Sequence, residues 1–314
     1  MSFPLFRLPL LASINIIKNI DVGDFVPLIR TSTRMRNLVK YSRVPIELTV
    51  YGEQGIEFKK RSDPDRTMLA PIYVVKKKQG NIPFKPSVLY RWNCVPETYL
   101  EGYQRVMDDF VDIFRVKSVD FDLDLTRGIG LQFLEYAMKL GLKFEQAQVS
   151  IDGDNLDDNR KVLSACAQAS KVYVTSYGCP ESFRFEGFHE YSMDYFELEV
   201  DKRCEWLTLD HLCALVNCSN VRIYYVKLSD ADLNKFLKHW LAGAGKMKTL
   251  VVDLAYPEDI MSIEVINPQT VLNGIPRKEI ESADNGSKFE IERSDGVKAY
   301  VTCGCLSFTM ELST

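Results

Sequence analysis

The side chains that could do chemistry are few and poorly placed for it. His189, His211 and His239 form no helical metal pair and sit beside no nucleophile motif, which predicts surface or loop positions for all three. Eight cysteines, at 94, 166, 179, 204, 213, 218, 303 and 305, are scattered through apolar patterns. Cys303 and Cys305 would share one side of a strand, but no second pair stands at ligand spacing, so both read as packing thiols. The acidic run DGDNLDD at 152 to 158 opens like a calcium loop. It lacks the sixth-position glycine and the closing glutamate, and reads instead as a strand-to-helix turn with carboxylates facing a helix start. Gly243, Gly245 and Lys246 lack the spacing and the following Ser or Thr of a phosphate loop. No dinucleotide fingerprint, nucleophile elbow or kinase motif is present. The expectation is a chain without catalysis of its own and without cofactor or metal.

Whatever function exists must then lie in surfaces, and the elements that build them are legible. Residues 9 to 20 read as an amphipathic helix: Pro9 suits a first helical position, and Leu11, Ile14, Ile17 and Ile20 follow helical spacing. A second helix is predicted after Asp24 as a cap, running through Phe25, Leu28 and Ile29 to Arg34 and Arg36, with Pro27 tolerated in its first turn. The runs IELTVY, IEFKK and APIYVV read as strands, the last following a polar loop and ending at Lys76 to Lys78. A proline-bearing connector leads to a helix with Tyr103, Val106, Phe110 and Phe114 on one face.

From residue 119 the pattern repeats. Six alternating runs carry apolar positions at Val119, Ala147, Val172, Phe196, Val221 and Leu250, with gaps of 28, 25, 24, 25 and 29 residues. Helical patterns fill gaps at 128 to 140, 157 to 169 and 229 to 242, whereas SYGCPESFRFEGF reads as loop. The 229 to 242 pattern has a capping-box start at Ser229 and Asp232, a face of Leu233, Phe236, Leu237, Trp240 and Leu241, and a stop at Gly243. A strand and a helix about every 25 residues fall within the period of leucine-rich repeats, whose units cannot bury their apolar faces alone and must stack. SKFEIER, VKAYVTC and LSFTMEL then read as an antiparallel meander closing the core.

The predicted class is α/β: a helical amino-terminal domain at 1 to 44, short strands, connector and helix at 45 to 118, and a leucine-rich-repeat-like curved parallel sheet with outer helices at 119 to 314, closed by the meander. A net charge of −4 gives no electrostatic footprint for nucleic acid, and no stretch approaches the about 18 apolar residues of a membrane span. Arg7, Pro9 and Asn15 interrupt the apolar start, so it reads as a helix and not as a secretory signal. Free thiols imply a reducing compartment, cytoplasmic or nuclear.

The stretch FPLFRLPLLASINIIKNID resembles an F-box. Leu8 and Pro9 open it, Ile16, Ile17 and Ile20 match its apolar positions, Asp21 its polar stop, and Ser32, Arg34, Arg36 and Leu38 its basic tail. The segment from LTLDHLCALV to KTLVVDL resembles the type 2 F-box-associated domain of a large nematode receptor family. Its most specific piece is DLNKFLKHWLAG, with Asp232, Phe236, Leu237, His239, Trp240 and Gly243; NGIPRKEIE and DGVKAYV resemble that family's end. The resemblance implies a substrate receptor of a cullin-RING ubiquitin ligase. The F-box would bind the Skp-family adaptor, and cullin through it, while the carboxy-terminal domain holds a protein substrate. Leu8, Pro9, Leu11, Ile14, Ile17 and Leu28 are the adaptor-binding candidates, because so apolar a segment is too short to cover itself. Phe236, Leu237 and Trp240 are expected in the core. The alternative is a leucine-rich-repeat-like scaffold that binds protein without any ubiquitin machinery.

Overall fold

Helix-forming and strand-forming patterns alternate along the chain, and a computed structural model describes the result for residues 5–51, 55–60, 63–70, 99–123, 130–201, 206–243, 245–254, 265–283 and 286–313. The chain divides into two units, residues 1 to 145 and 146 to 314, whereas the sequence pattern placed boundaries at 44 and 118.

The first unit contains α1 (Leu10–Asn19), α2 (Phe25–Thr31), α3 (Thr33–Ser42), β1 (Pro45–Tyr51), β2 (Gly55–Lys60), β3 (Asp63–Ala70), α4 (Tyr99–Ile113), β4 (Arg115–Leu123) and α5 (Gly130–Lys139). Its strands run in the order β4-β1-β2-β3, with β1 parallel to β4 and the β1–β2–β3 pairs antiparallel. Strict alternation in β1 buries Ile46, Leu48 and Val50. Against them lies an aromatic core in which Phe58 meets Phe110 at 4.8 Å and Phe25 meets Phe114 at 5.4 Å. Tyr103, Val106 and Phe110 are buried on the predicted face of α4, and Phe114 is buried just beyond its end.

Three details differ from the sequence pattern. Pro9 is the extended residue before α1, not its first helical residue. The second predicted helix is broken at Ser32, whose backbone is extended and whose hydroxyl accepts a bond from the Met35 amide, so that it starts α3 afresh. Residues 63–69, expected as loop, form a strand together with Ala70; its Pro64 is tolerated because β3 is the outer strand. Residues 71–75 of the APIYVV run, the lysine run and the proline connector lie outside the described residues.

The second unit contains β5 (Phe144–Asp152), α6 (Leu156–Cys166), β6 (Lys171–Tyr177), β7 (Tyr195–Val200), α7 (Leu209–Ala214), β8 (Asn220–Val226), α8 (Asp230–Leu241), β9 (Thr249–Leu254), α9 (Pro268–Val271), β10 (Arg277–Ala283), β11 (Gly286–Glu292), β12 (Lys298–Cys303) and β13 (Ser307–Leu312). β5 to β9 pair in chain order and in parallel; β13, β12, β11 and β10 continue from β9 as antiparallel neighbours. Five of the six apolar positions picked out by spacing are direct cross-strand partners, while Val119, in the first unit, pairs with Leu48. Ala147 faces Val172, which faces Phe196, then Val221, then Leu250, and the row continues through Met310, Val301 and Phe289. Each of these side chains is buried. One continuous apolar row across eight strands is what a repeat with a period near 25 residues requires, since a slip of one residue would turn a whole strand's apolar set outward. The meander is present, with the additional strand β10.

α8 follows its sequence signature at every position but half-buried Leu241. Ser229 and Asp232 exchange capping bonds, Leu233, Phe236, Leu237 and Trp240 are buried, and Gly243 stops the helix at φ +91°. Between β6 and β7 no α-helix forms. The segment makes one short turn at Glu186–Glu190, and its aromatic residues take the place of a helix in the core.

Candidate functional site

The adaptor-binding candidates are held by the start of the chain. The Ser13 hydroxyl, inside α1, donates 3.1 Å to the Leu5 carbonyl and so fastens the preceding turn to the helix. The Arg34 guanidinium lies 4.3 Å over the Phe6 ring. Around this turn Leu10 and Leu11 are exposed, at 60% and 77%, Phe6 is exposed at 37%, and Pro9 is exposed beside half-buried Leu8. Ile14 and Leu28 are half-buried. Ile17 is fully buried and therefore belongs to the unit's own core, not to its surface. The candidates thus separate into an outward set near the start of α1 and an inward set at its end. Phe6 and Leu10, neither of them singled out by the spacing argument, join the outward set.

α2 and α3 support this turn. Pro27 is the third residue of α2, where no backbone donor is missed by the helix. α3 is fixed to α4 by Arg36 on Asp109 at 2.6 Å and by Lys40 on Asp112. The Asp109 hydrogen bond holds the Arg36 pKa above its usual value, and the Lys40 hydrogen bond holds the Asp112 carboxyl below the usual range.

His189 is exposed. His211, expected at the surface, is buried: its Nδ1 accepts from the Thr208 amide at 3.1 Å, completing a capping box at the start of α7, and its ring meets Phe188 edge-on. Burial, reinforced by the positive charge of Arg184, lowers its pKa below the usual 6.5. His239 is exposed on α8. Cys303 is buried, as a packing thiol would be, while Cys305, read in the same way, lies beyond the end of β12 and is exposed. Cys94 and Cys204 lie outside the described residues. The acidic run is the strand-to-helix turn anticipated for it: Asp152 accepts the Asp154 amide, Asn155 caps α6, and Asp157 and Asp158 occupy the first turn. Gly153 is required there, because a Cβ would stand 2.4 Å from the Gly178 carbonyl oxygen. Among the described residues no group of three metal-ligating side chains occurs, and no helix is long and apolar enough to cross a membrane.

The segment 177 to 193, most of which reads as loop, sends its aromatic rings into the interior while most of its other residues are exposed. Phe183, Phe185, Phe188 and Tyr191 are buried, Phe183 and Trp206 meet edge-on at 5.0 Å, and the Trp206 indole donates to the buried Ser176 hydroxyl. A shallow cavity of about 330 Å³ opens nearby, lined by Thr208, Asp210, Lys227 and Asp232 among others. Asp232 is committed there to the Ser229 cap.

Residues 188–249, from the turn before β7 to the first residue of β9, match the family model described as F-box associated. The chain is also 24% identical, over 220 residues, to the Skn-1 dependent zygotic transcript 15 protein of Caenorhabditis elegans. The alignment covers 67% of this chain and 61% of that protein, so the chain spans less than two thirds of the relative it matches. No solved structure matches. The matched segment is the part of the second unit in which β7, α7, β8 and α8 lie, with Phe236, Leu237 and Trp240 in its core.

Proposed function

We propose that the protein is the substrate-receptor subunit of a cullin-RING ubiquitin ligase. Its amino-terminal turn and α1 bind a Skp-family adaptor, and its second unit holds a protein substrate. Such a receptor accelerates transfer by proximity, bringing a substrate lysine near a charged ubiquitin carrier; it needs no acid, base or nucleophile of its own. The F-box-associated match supports the family reading. The observation that carries the adaptor role is the cluster of exposed apolar side chains at Phe6, Leu10 and Leu11, beside Leu8 and Pro9, within one short stretch that also resembles an F-box. Capture of purified Skp-family adaptor by the purified chain tests the reading. Leu10→Ala with Leu11→Ala, and separately Leu8→Ala with Pro9→Ala, are expected to weaken capture by at least about tenfold. Equal capture by wild type and both variants would end it.

The second reading, a repeat scaffold without ubiquitin machinery, is favoured by one observation. Ile17, Phe25, Ile29, Met35, Leu38 and Val39 are all buried in the first unit, so the amino-terminal helices also serve this chain's own core. Failure of wild-type chain to capture any Skp-family adaptor selects that reading.

A further inference from the structure

The buried row of the second unit has an opposite face. Along β6 to β9, up to the irregularity at the end of β8, the residues that alternate with it are exposed or half-buried, as on the solvated side of a sheet. That face is rich in tyrosine. Tyr173 and Tyr195 are on adjacent strands with ring centroids 5.3 Å apart, and Tyr224 stands further along β8.

Register places Glu199 directly beside Tyr224, and Tyr224 directly beside Asp253. Neighbouring strands lie about 4.8 Å apart, so one aromatic ring is flanked by two carboxylates at the spacing of a single side-chain head group. On the adjacent row Glu197 is paired in register with Arg222, whose pKa is raised first by its hydrogen bond to Tyr224. The three carboxylates of this face, Glu197, Glu199 and Asp253, stand against two cations, Arg222 and the exposed Lys171 beside Tyr195, which leaves it with one net negative charge. Burial raises the Asp253 pKa, and Arg222 offsets that rise only in part.

The backbone at this place is also unusual. Tyr225 has φ +60°, a conformation that a bulky side chain rarely adopts, and the β8–β9 register shifts there by one residue. Without the bulge, alternation would send Tyr225 into the core and Val226 out. With it, Val226 is buried and Tyr224 and Tyr225 both stay out of the interior, their rings 6.4 Å apart. Strain of this kind persists where the surrounding fold over-determines it, and it concentrates at functional positions.

We infer that the tyrosine-bearing face of β6 to β9, centred on Tyr224 between Glu199 and Asp253, docks an extended protein segment carrying arginine or lysine. The charge complementarity selects a basic occupant and excludes a nucleic-acid backbone. A guanidinium laid on the Tyr224 ring would gain cation–π attraction and charge-assisted bonds from both sides. Tyrosine supplies wide contact area at little conformational cost, as in protein-binding surfaces generally.

This inference rests on the receptor reading for the identity of the segment as substrate, but its test does not depend on the adaptor. The full chain is titrated into a fluorescein-labelled peptide of alternating arginine and serine, and into its glutamate–serine counterpart, with anisotropy as readout. The basic peptide is expected to bind and the acidic one not. Glu199→Lys and Tyr224→Ala should each weaken binding at least about tenfold, whereas Glu190→Lys, an exposed charge reversal off this face, should change it less than about twofold. Tyr173→Ala serves as a further variant should Tyr224→Ala fail to fold. Equal effects of Glu199→Lys and Glu190→Lys would reveal mere attraction to an acidic protein and overturn the inference, as would equal binding of the two peptides. Adaptor capture by the same Glu199→Lys protein is read in parallel: retained capture with lost peptide binding supports this inference and the receptor reading together, while lost capture by wild type alone removes the receptor reading and leaves the basic-segment site standing.

Discussion

α1 and α8 are helices of similar length built to different ends. α8 completes itself. A reciprocal cap closes its start, a left-handed glycine closes its finish, and every residue of its apolar stripe except half-buried Leu241 is buried. α1 is preceded by Pro9, which supplies no side-chain cap, and only Ser13 and Ile17 of its ten residues are buried while Leu10 and Leu11 point outward. Both patterns read alike as amphipathic helices. The difference teaches that apolar periodicity identifies a helix but not its partner: in α8 the stripe belongs to the fold, and in α1 it is divided between the fold and the outside.

The sharpest way to break this comparison is to remove the inward anchors. Trp240→Ala, at a fully buried position in α8, should cost about 3–5 kcal/mol, and Ile17→Ala, fully buried in α1, about 2–5 kcal/mol, measured by denaturant unfolding of the full chain. If Ile17→Ala left stability unchanged, α1 would not be part of the first unit's core. Trp240 adds a detail: its indole Nε1 is buried with no hydrogen-bond partner among the described residues. Trp240→Phe removes that unsatisfied donor along with some volume and should cost less than Trp240→Ala.

The caps come next. Ser229→Ala should lower stability by about 1 kcal/mol, and Ser32→Ala, which removes the bond that restarts the helix as α3, by a similar amount. Thermal unfolding of the two variants against wild type gives the answer. A null result at Ser32 would mean that the Arg36–Asp109 and Lys40–Asp112 pairs hold α3 by themselves.

These positions show what was legible in advance. The start and stop of α8 are written in Ser229, Asp232 and Gly243, local signals that tertiary context did not override. The buried row from Ala147 to Leu250 was visible as spacing, because period-two alternation repeated about every 25 residues fixes which side chains meet. Ser32 is different. A Thr-Ser-Thr stretch serves equally as helix interior or as cap, and packing on α4 decides. β3 carries no alternation, so nothing in DPDRTMLA marked it as a strand. His211 was hidden because a histidine at the third position of α7 replaces the glutamate that usually announces a capping box. Consecutive tyrosines at 224 and 225 did break the alternation of β8, but a bulge is a matter of register with β9 and cannot be read from one strand. Alternation likewise shows which residues leave the core without showing that Glu199, Tyr224 and Asp253 stand side by side.

His211 gives the second unit a pH dependence that α8 alone would not have. Its pKa is held below 6.5 in the folded chain, first by burial and then by Arg184. Above about pH 6.5 the ring is neutral in folded and unfolded chain alike and contributes no slope. Below it the unfolded chain takes up a proton that the folded chain resists, so stability falls as pH drops. Melting temperatures between about pH 7.5 and about pH 5.5, compared with those of His211→Asn, isolate the effect; parallel profiles would show that the ring is not held neutral.

The smallest expected change in stability is the most informative about α1. Leu11 is 77% exposed, so Leu11→Ala removes almost no buried area and should leave stability within about 0.5 kcal/mol of wild type. A surface leucine kept for folding would show its loss in an unfolding curve; one kept for a partner shows it only in binding. Leu11→Ala that unfolds like wild type and yet captures adaptor poorly separates the outward half of α1 from the inward half at Ile17. A destabilisation as large as that of Ile17→Ala would instead assign Leu11 to this chain's own core and erase the contrast with α8.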